Sequence, residues 1–528
     1  MPESIPAIGW RFDNSYARLP EPLVAAATPA AVRAPRLVVV NEPLAAELGL
    51  DPAAVCDSAA VLAGNALPPG AEPIAQAYAG HQFGHFTNLG DGRAILLGEQ
   101  RTPAGRRFDI QLKGAGRTRY SRGGDGRAAL GPMLREHLIS EAMHALGVPT
   151  TRSLAVAMTG EAVMRTTPLP GAVLTRVATS HIRVGTFQYA RALGDESVLR
   201  ALLDHAIARH DPDLIDVADP ALAFFEAVVA RQAMLVARWM LVGFVHGVMN
   251  TDNMAVSGET IDYGPCAFLD TYDPATVFSS IDEQGRYAYA NQPGIAHWNL
   301  ARLAESLLPL VRGEGETVLE KVREVLGTFP ERFERELLAG GRAKLGLVDG
   351  EPGDAELLAG LLAAMRTAAA DHTLTFSALT RLAETAAAER RASRAGASEE
   401  TSADRTDPSA AGQSVPRDGA SEGVATDPAD PFAAGPLAAW LPGWRERFTR
   451  QPGSLAGAAA RMRRANPVVI PRNHRVEEAL AAAEVGDIAP FERLLAVLRE
   501  PFDETPANGP YRAAPPADFG PYTTFCGT

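Results

Sequence analysis

Three oxygen-bearing side chains stand out along residues 246–264, HGVMNTDNMAVSGETIDYG: Asp252 and Asn253 at one end and Asp262 at the other. The residues between them, 254–261, read as a short hairpin turning at Gly258, which would bring the three oxygens together. Hard divalent ions take oxygen ligands, and magnesium usually binds through one or two carboxylates plus the phosphates of its substrate. The stretch is therefore a candidate site for Mg2+ or Mn2+ with a nucleotide phosphate, Asn253 and Asp262 being the metal ligands. The plain alternative is that Asp, Asn and Gly only punctuate turns here.

Protein kinases carry the same parts in the same order: a His-containing loop ending in a metal-binding Asn, a hairpin, then Asp-Phe-Gly. Asn253 matches the Asn, and Asp262-Tyr263-Gly264 matches the Asp-Phe-Gly. The position of the catalytic base is Val248, which cannot accept a proton. Either the chain only binds nucleotide, or the work has moved, and Asp252 beside the metal ligand is then the candidate base.

The elements that would position these residues lie upstream. Gly80, Gly84, Gly90 and Gly92 fall between strand-like runs, where a backbone can approach a ligand and offer N–H groups to phosphate. His81 and His85 are four apart with no third ligand nearby, and read as polar loop residues. Strands follow at 93–100 and 107–113; in the second, Phe108, Ile110 and Leu112 alternate with Asp109, Gln111 and Lys113, so the lysine leaves the face opposite the apolar one. Residues 114–127 hold five glycines and four arginines, a loop suited to wrapping a polyphosphate.

Pro132 and Gly147 bracket a helix with Leu134, Leu138, Ala142 and Leu146 on one stripe. Glu136 and Glu141 fall roughly 140° apart on its wheel, so at most one faces Lys113; Glu136, in the first turn, is expected to pair with it and Glu141 to be exposed. Further strands are expected at 154–158, 162–165 and 172–177. Arg176 and Arg183 present fixed forks of donors that suit phosphate oxygens. A long helix over 221–245 delivers the chain to His246, 265–293 has little periodicity, and a helix opens at Trp298.

A chain of 528 residues, 46% hydrophobic and 21% charged, can bury a large core. Net charge of −13 argues against nucleic-acid or anionic-membrane partners, which need clustered Lys and Arg. The start of the chain shows no secretory pattern, and the apolar run 221–245 contains Glu226, Arg231 and Arg238, so no membrane span is expected and a cytoplasmic setting fits. Three cysteines, Cys56, Cys266 and Cys526, exclude a disulfide scaffold and a four-Cys zinc site. Within 391–430 only Val415 and Val424 are large aliphatics and no aromatic occurs, so this segment reads as a disordered insertion.

The ordered inventory is that of an α+β, two-lobed, protein-kinase-like fold with N- and C-terminal extensions. The expected divisions are an extension over 1–70, an N-lobe with nucleotide-binding loops over 71–190, a mainly helical C-lobe over 191–390, the insertion, and a helical extension over 431–528.

The stretches YAGHQFGHFTNLGDGRA, DIQLKGAGRTRYSRGGDGRA, HGVMNTDNMAVSGETIDYGP, NQPGIAHWNLARLAESL and ANPVVIPRNHRVEEAL, with a near-terminal cysteine, resemble the selenoprotein O family of protein adenylyltransferases. The resemblance covers nearly the whole chain outside 391–430. It implies that ATP lies flipped relative to kinases, that a Ser, Thr or Tyr hydroxyl of an acceptor protein attacks the α-phosphorus, and that pyrophosphate leaves. Carried onto this sequence, it implies a nucleotide pocket of Gly90, Gly92, Arg93, Asp125 and Gly126. It further implies inner-phosphate contacts from Lys113, Arg176 and Arg183, a Lys113–Glu136 pair, metal at Asn253 and Asp262, and Asp252 as base. The family commonly has two serines after its terminal cysteine, whereas Gly527-Thr528 follow Cys526 here. A gating Cys266–Cys526 disulfide is one reading, and a pair of inert thiols, favoured in a reducing cytoplasm, is the other.

Overall fold

The computed structural model describes residues 8–400 and 430–525, the side chains of 394–400 excepted. Its strands are β1 Val24–Ala26, β2 Arg36–Val40, β3 Ile74–Gln76, β4 Ala79–Gln82, β5 His85–Asn88, β6 Ala94–Arg101, β7 Arg107–Lys113, β8 Ala128–Ala129, β9 Arg152–Met164, β10 Pro168–Ala178, β11 Phe244–Val245 and β12 Ala267–Phe268. Eight form one antiparallel sheet in the order β1-β3-β6-β7-β10-β9-β2, with β8 added to β10. The hairpins β4–β5 and β11–β12 stand apart.

Apolar side chains cover both faces of this sheet. Ile110 and Leu112 of β7 join Ile95, Leu154 and Val177 in one core, while Val156 and Leu174 join Leu134 and Leu138 of the helix Leu130–Ala145 in another. The alternation read from β7 holds: Asp109, Gln111 and Lys113 leave the other face, and all three are buried there. The helix Leu130–Ala145 has the sheet on one side and the helices Asn473–Glu484 and Ala489–Leu498 on another. Glu141 is therefore buried, against the expectation of exposure, with both carboxylate oxygens 2.7 Å from Arg152.

The helix Pro220–Val242 has Asp219 as its N-cap, accepting from Leu222 N, and ends at Gly243, whose φ of +73° suits the left-handed C-cap. It stops short of the expected 245 because Phe244 and Val245 pair with Phe268 and Ala267. It is the one helix among the described residues long and apolar enough to cross a membrane; here it packs along the helix Phe329–Leu345. The helix Gln292–Leu307 begins earlier than Trp298, with Pro293 in its first turn. The two strands expected over 154–158 and 162–165 are one, β9.

The expected hairpin over 254–261 does not form. Its two arms pair outward: Val184 N and Val256 N bond Met254 O and Ile182 O, while Thr151 N donates to Thr260 O and Thr260 N to Pro149 O. Only the turn at Gly258, φ +77°, is as read. Of the insertion, 391–400 continue the helix His372–Glu400 and 401–429 lie outside the described residues.

Candidate functional site

Strand β7 ends in Lys113, whose Nζ lies 2.5 Å from Glu136 Oε2 on the helix Leu130–Ala145 and 3.2 Å from Asp262 Oδ1. The register of β10 against β7, Arg176 opposite Gln111, brings in Arg176, which is 1% exposed. Its Nη2 is 2.6 Å from both Glu136 Oε1 and Asp262 Oδ1. Arg183, just past β10, places Nη1 2.5 Å from Asp262 Oδ2 and 2.5 Å from the carbonyl oxygen of Asp252. Three cations thus surround two carboxylates, leaving one net positive charge.

These contacts set the protonation states. Burial pushes the Asp262 carboxyl up, but Arg176, then Arg183 and Lys113, outweigh it and hold it well below the usual carboxylate range. Glu136 is lowered too: burial opposes, and Arg176 and Lys113 prevail. Burial, with Arg176 adding to it, pulls the Lys113 ammonium down. Asp262 itself has φ +63°, a left-handed backbone uncommon outside glycine and of the kind that concentrates at functional sites.

Two adjoining cavities meet here. The inner, of about 330 Å3, is lined by Lys113, Arg176, Arg183, Asp252, Asn253 and Asp262 among others. The outer, of about 590 Å3, is lined by Gly90, Gly92, Arg93, Tyr120, Asp125 and Gly126 among others. Arg93, Gly92 and Asp252 line both, and Glu136 sits behind Lys113. The structure therefore brings Gly90, Gly92, Arg93, Lys113, Asp125, Gly126, Glu136, Arg176, Arg183, Asp252, Asn253 and Asp262 onto or beside these two cavities, whereas Gly80 and Gly84 line neither.

The glycines have a reason other than the one expected. A Cβ on Gly90 would meet the Tyr120 ring at 2.4 Å, one on Gly92 would lie 2.9 Å from Tyr120 O, and one on Gly126 would strike Gly116 O at 2.1 Å. The close approach they permit is that of the 117–126 loop, which forms the outer wall. Asp125 pairs at the rim with Arg165, 2.8 Å away.

Asp252 lies in a one-turn helix, Thr251–Asn253, beneath β4. A Cβ on Gly80 would sit 2.0 Å from its Oδ1. That oxygen has no hydrogen-bond partner although buried, and Arg183 Nε is likewise a buried donor without one. Burial raises the Asp252 carboxyl to about 6. Val248, the residue in the kinase base position, is buried on the inner cavity wall.

The Asn253 amide nitrogen donates to Val248 O at 3.0 Å, which leaves its carbonyl oxygen for another partner. Among the described residues no group of three or more His, Cys, Asp or Glu forms a cation site by itself. A divalent ion at Asn253 and Asp262 would need phosphate oxygens as well, the usual condition of magnesium. The donor chemistry fits: an amide oxygen and a carboxylate, with Asp252 lining the same cavity.

Sequence reasoning passed over Asp91 and Tyr78. Asp91 is 2% exposed on the inner cavity, accepts from Gln76 N at 3.1 Å, and is raised by burial to about 6. Tyr78 stacks beneath Arg183, 4.7 Å from the guanidinium. A carboxylate flanked by two glycines was the available signal for Asp91. Cys266 is buried and free, its thiol pushed up to about 11 by burial. Cys526 lies outside the described residues, so the Cys266–Cys526 pairing does too.

Comparison with known proteins gives the family of the chain. A curated relative from Rhizobium etli (strain CIAT 652), named protein nucleotidyltransferase YdiU, is 55% identical over 526 residues, covering 99% of this chain and 98% of its own. A relative of the same name from Geobacillus kaustophilus (strain HTA426) is 54% identical over 98% of this chain and 99% of its own. The family model described as protein adenylyltransferase SelO matches residues 6–499, and the chain belongs to that family.

Proposed function

We propose that this chain transfers AMP from ATP to a Ser, Thr or Tyr hydroxyl of an acceptor protein. The acceptor oxygen bonds to the α-phosphorus, the bond from that phosphorus to the β-phosphate bridging oxygen breaks, and pyrophosphate leaves. The hydroxyl proton passes to Asp252 Oδ. In this reading the fold is kinase-like, the sheet and the helix Leu130–Ala145 forming one lobe and the helices from Pro220 onward the other.

One observation carries the reading: Lys113, Arg176, Arg183 and Asp252 line one inner cavity, with Asn253 and Asp262 beside them. Asp252 also lines the outer cavity. An ATP whose terminal phosphates lie innermost, on Lys113, Arg176 and Arg183, has its α-phosphate toward Asp252 and its adenosine toward Gly90, Gly92 and the 117–126 loop. This is the reverse of the kinase orientation. Fixed cations act here by positioning and by neutralising developing charge, the larger part of phosphoryl and nucleotidyl transfer. A Mg2+ or Mn2+ held by Asn253, Asp262 and the phosphates would add to that neutralisation.

The test is intact-mass spectrometry of acceptor protein after incubation with ATP and Mg2+ or Mn2+. An added mass of AMP supports the reading, and an added phosphate contradicts it. The Asp252→Asn variant should bind ATP with little change while transfer falls by about 10²–10⁴-fold, the usual contribution of a general base.

A further inference from the structure

Phe83 and Ile281 line the inner cavity and also a neighbouring groove of about 700 Å3, whose walls include Glu283, Gln284, Arg286 and Ile295. This groove and the outer cavity, both adjoining the inner one, differ in charge. The outer cavity presents Arg93, Arg117, Arg122, Arg127 and Arg165 against Asp125 and Asp252, whereas the groove presents Arg286 against Asp282 and Glu283. A polyphosphate is drawn to the outer cavity and not to the groove.

The junction is built rather than incidental. Phe83 has φ +51°, a costly conformation for a bulky residue and one that persists only where its surroundings impose it. Its N–H donates to Asn250 Oδ1 at 3.0 Å, and its ring meets Tyr287 edge-on at 5.1 Å. The Tyr287 hydroxyl donates to the same Asn250 oxygen at 2.5 Å. Asn250 directly precedes the turn bearing Asp252 and Asn253, so the groove wall and the base are parts of one hydrogen-bonded unit.

The exposed groups indicate what fits. Ile281 is 51% exposed at the junction. The Asp282 carboxylate is occupied by Arg286 N and Tyr287 N, and the Arg286 guanidinium lies over Trp298 at 4.9 Å. Glu283 is exposed, whereas Asp282 is buried and occupied, so Glu283 is the carboxylate the groove offers to a partner.

We infer that this groove docks the acceptor polypeptide as an extended segment. Its hydroxyl enters between Phe83 and Ile281 toward Asp252, an adjacent apolar side chain packs on those two residues, and a nearby Lys or Arg meets Glu283. The inference rests on the adenylyl-transfer reading, with the nucleotide entering by the outer cavity and the acceptor by the groove.

The test uses the full chain, α-labelled ATP and two unstructured polypeptides, each with one Thr beside a Leu, differing only in a flanking Lys or Glu. The wild type should favour the Lys polypeptide. Glu283→Arg should raise the KM for it by about fivefold or more, lower that for the Glu polypeptide, and leave ATP affinity within about twofold, as expected of a charge outside the nucleotide pocket. Ile281→Asp should raise both KM values. Equal KM values for the two polypeptides in wild type and Glu283→Arg would overturn the groove assignment while leaving adenylyl transfer intact. So would α-label appearing on folded proteins or on the chain itself but on neither polypeptide. No α-label on any acceptor would overturn the adenylyl-transfer reading and the groove with it.

Discussion

Arg176 Nη2 lies 2.6 Å from Asp262 Oδ1, and the same nitrogen lies 2.6 Å from Glu136 Oε1. One fully buried guanidinium thus ties the sheet, the helix Leu130–Ala145 and the acidic turn after Ile261 into a single charged node. Removing it leaves two carboxylates sharing Lys113 and Arg183. The Arg176→Met variant should lose about 3–5 kcal/mol of stability, the usual cost of breaking a buried pair, and lose transfer as well. Urea unfolding checks the first and labelled-ATP assays the second; a loss below about 1 kcal/mol would show that the node is not structural.

Gly80 is the point where β4 passes over Asp252. Alanine there would place its Cβ 2.0 Å from Asp252 Oδ1 and 2.8 Å from Leu89 Cδ1, so the carboxylate must move. The Gly80→Ala protein should remain folded and bind ATP, with kcat lowered by about tenfold to a hundredfold, as small misplacements of reacting groups produce. Unchanged kcat would remove Asp252 Oδ1 from the reaction.

Glu259 gives a pH dependence with a definite sign. Its carboxylate accepts from Thr179 N and Oγ1 at 3.0 and 2.7 Å and from Ser257 Oγ at 3.2 Å, and burial raises it to about 7. A carboxyl raised on folding contributes stability that is fully present below its unfolded value and is lost as pH rises through its folded value. The melting temperature of Glu259→Gln should therefore match that of the wild type near pH 4, exceed it increasingly between about pH 4.5 and 7, and keep a constant lead above that. A gap that does not change with pH would contradict the assignment.

Much of this site can be read from the chain alone, because its residues sit at element ends that local pattern defines. The period-two alternation of β7 gives the face of Lys113, and the helical wheel separates Glu136 from Glu141. What local pattern cannot give is partners distant in sequence. The arms of 254–261 bond to 149–151 and 182–184 instead of to each other, and no turn signal announces that. Glu141 is buried because Arg152 faces it and because helices from the last sixty or so residues cover the far side of its helix. The glycines around Gly90 suggested a phosphate, whereas the structure puts the Tyr120 ring against them, a contact between two loops that neither sequence stretch implies.

The central claim is that the α-phosphorus reacts. The most direct measurement incubates the chain and a protein acceptor with Mg2+ or Mn2+ and either α-labelled or γ-labelled ATP, beside an Asp262→Ala variant. The account requires that only the α-label reach protein and that the variant transfer none. Label from the γ position alone would make the chain a phosphotransferase with a displaced base, and the assignment of Lys113, Arg176 and Arg183 to the inner phosphates of a reversed ATP would be wrong.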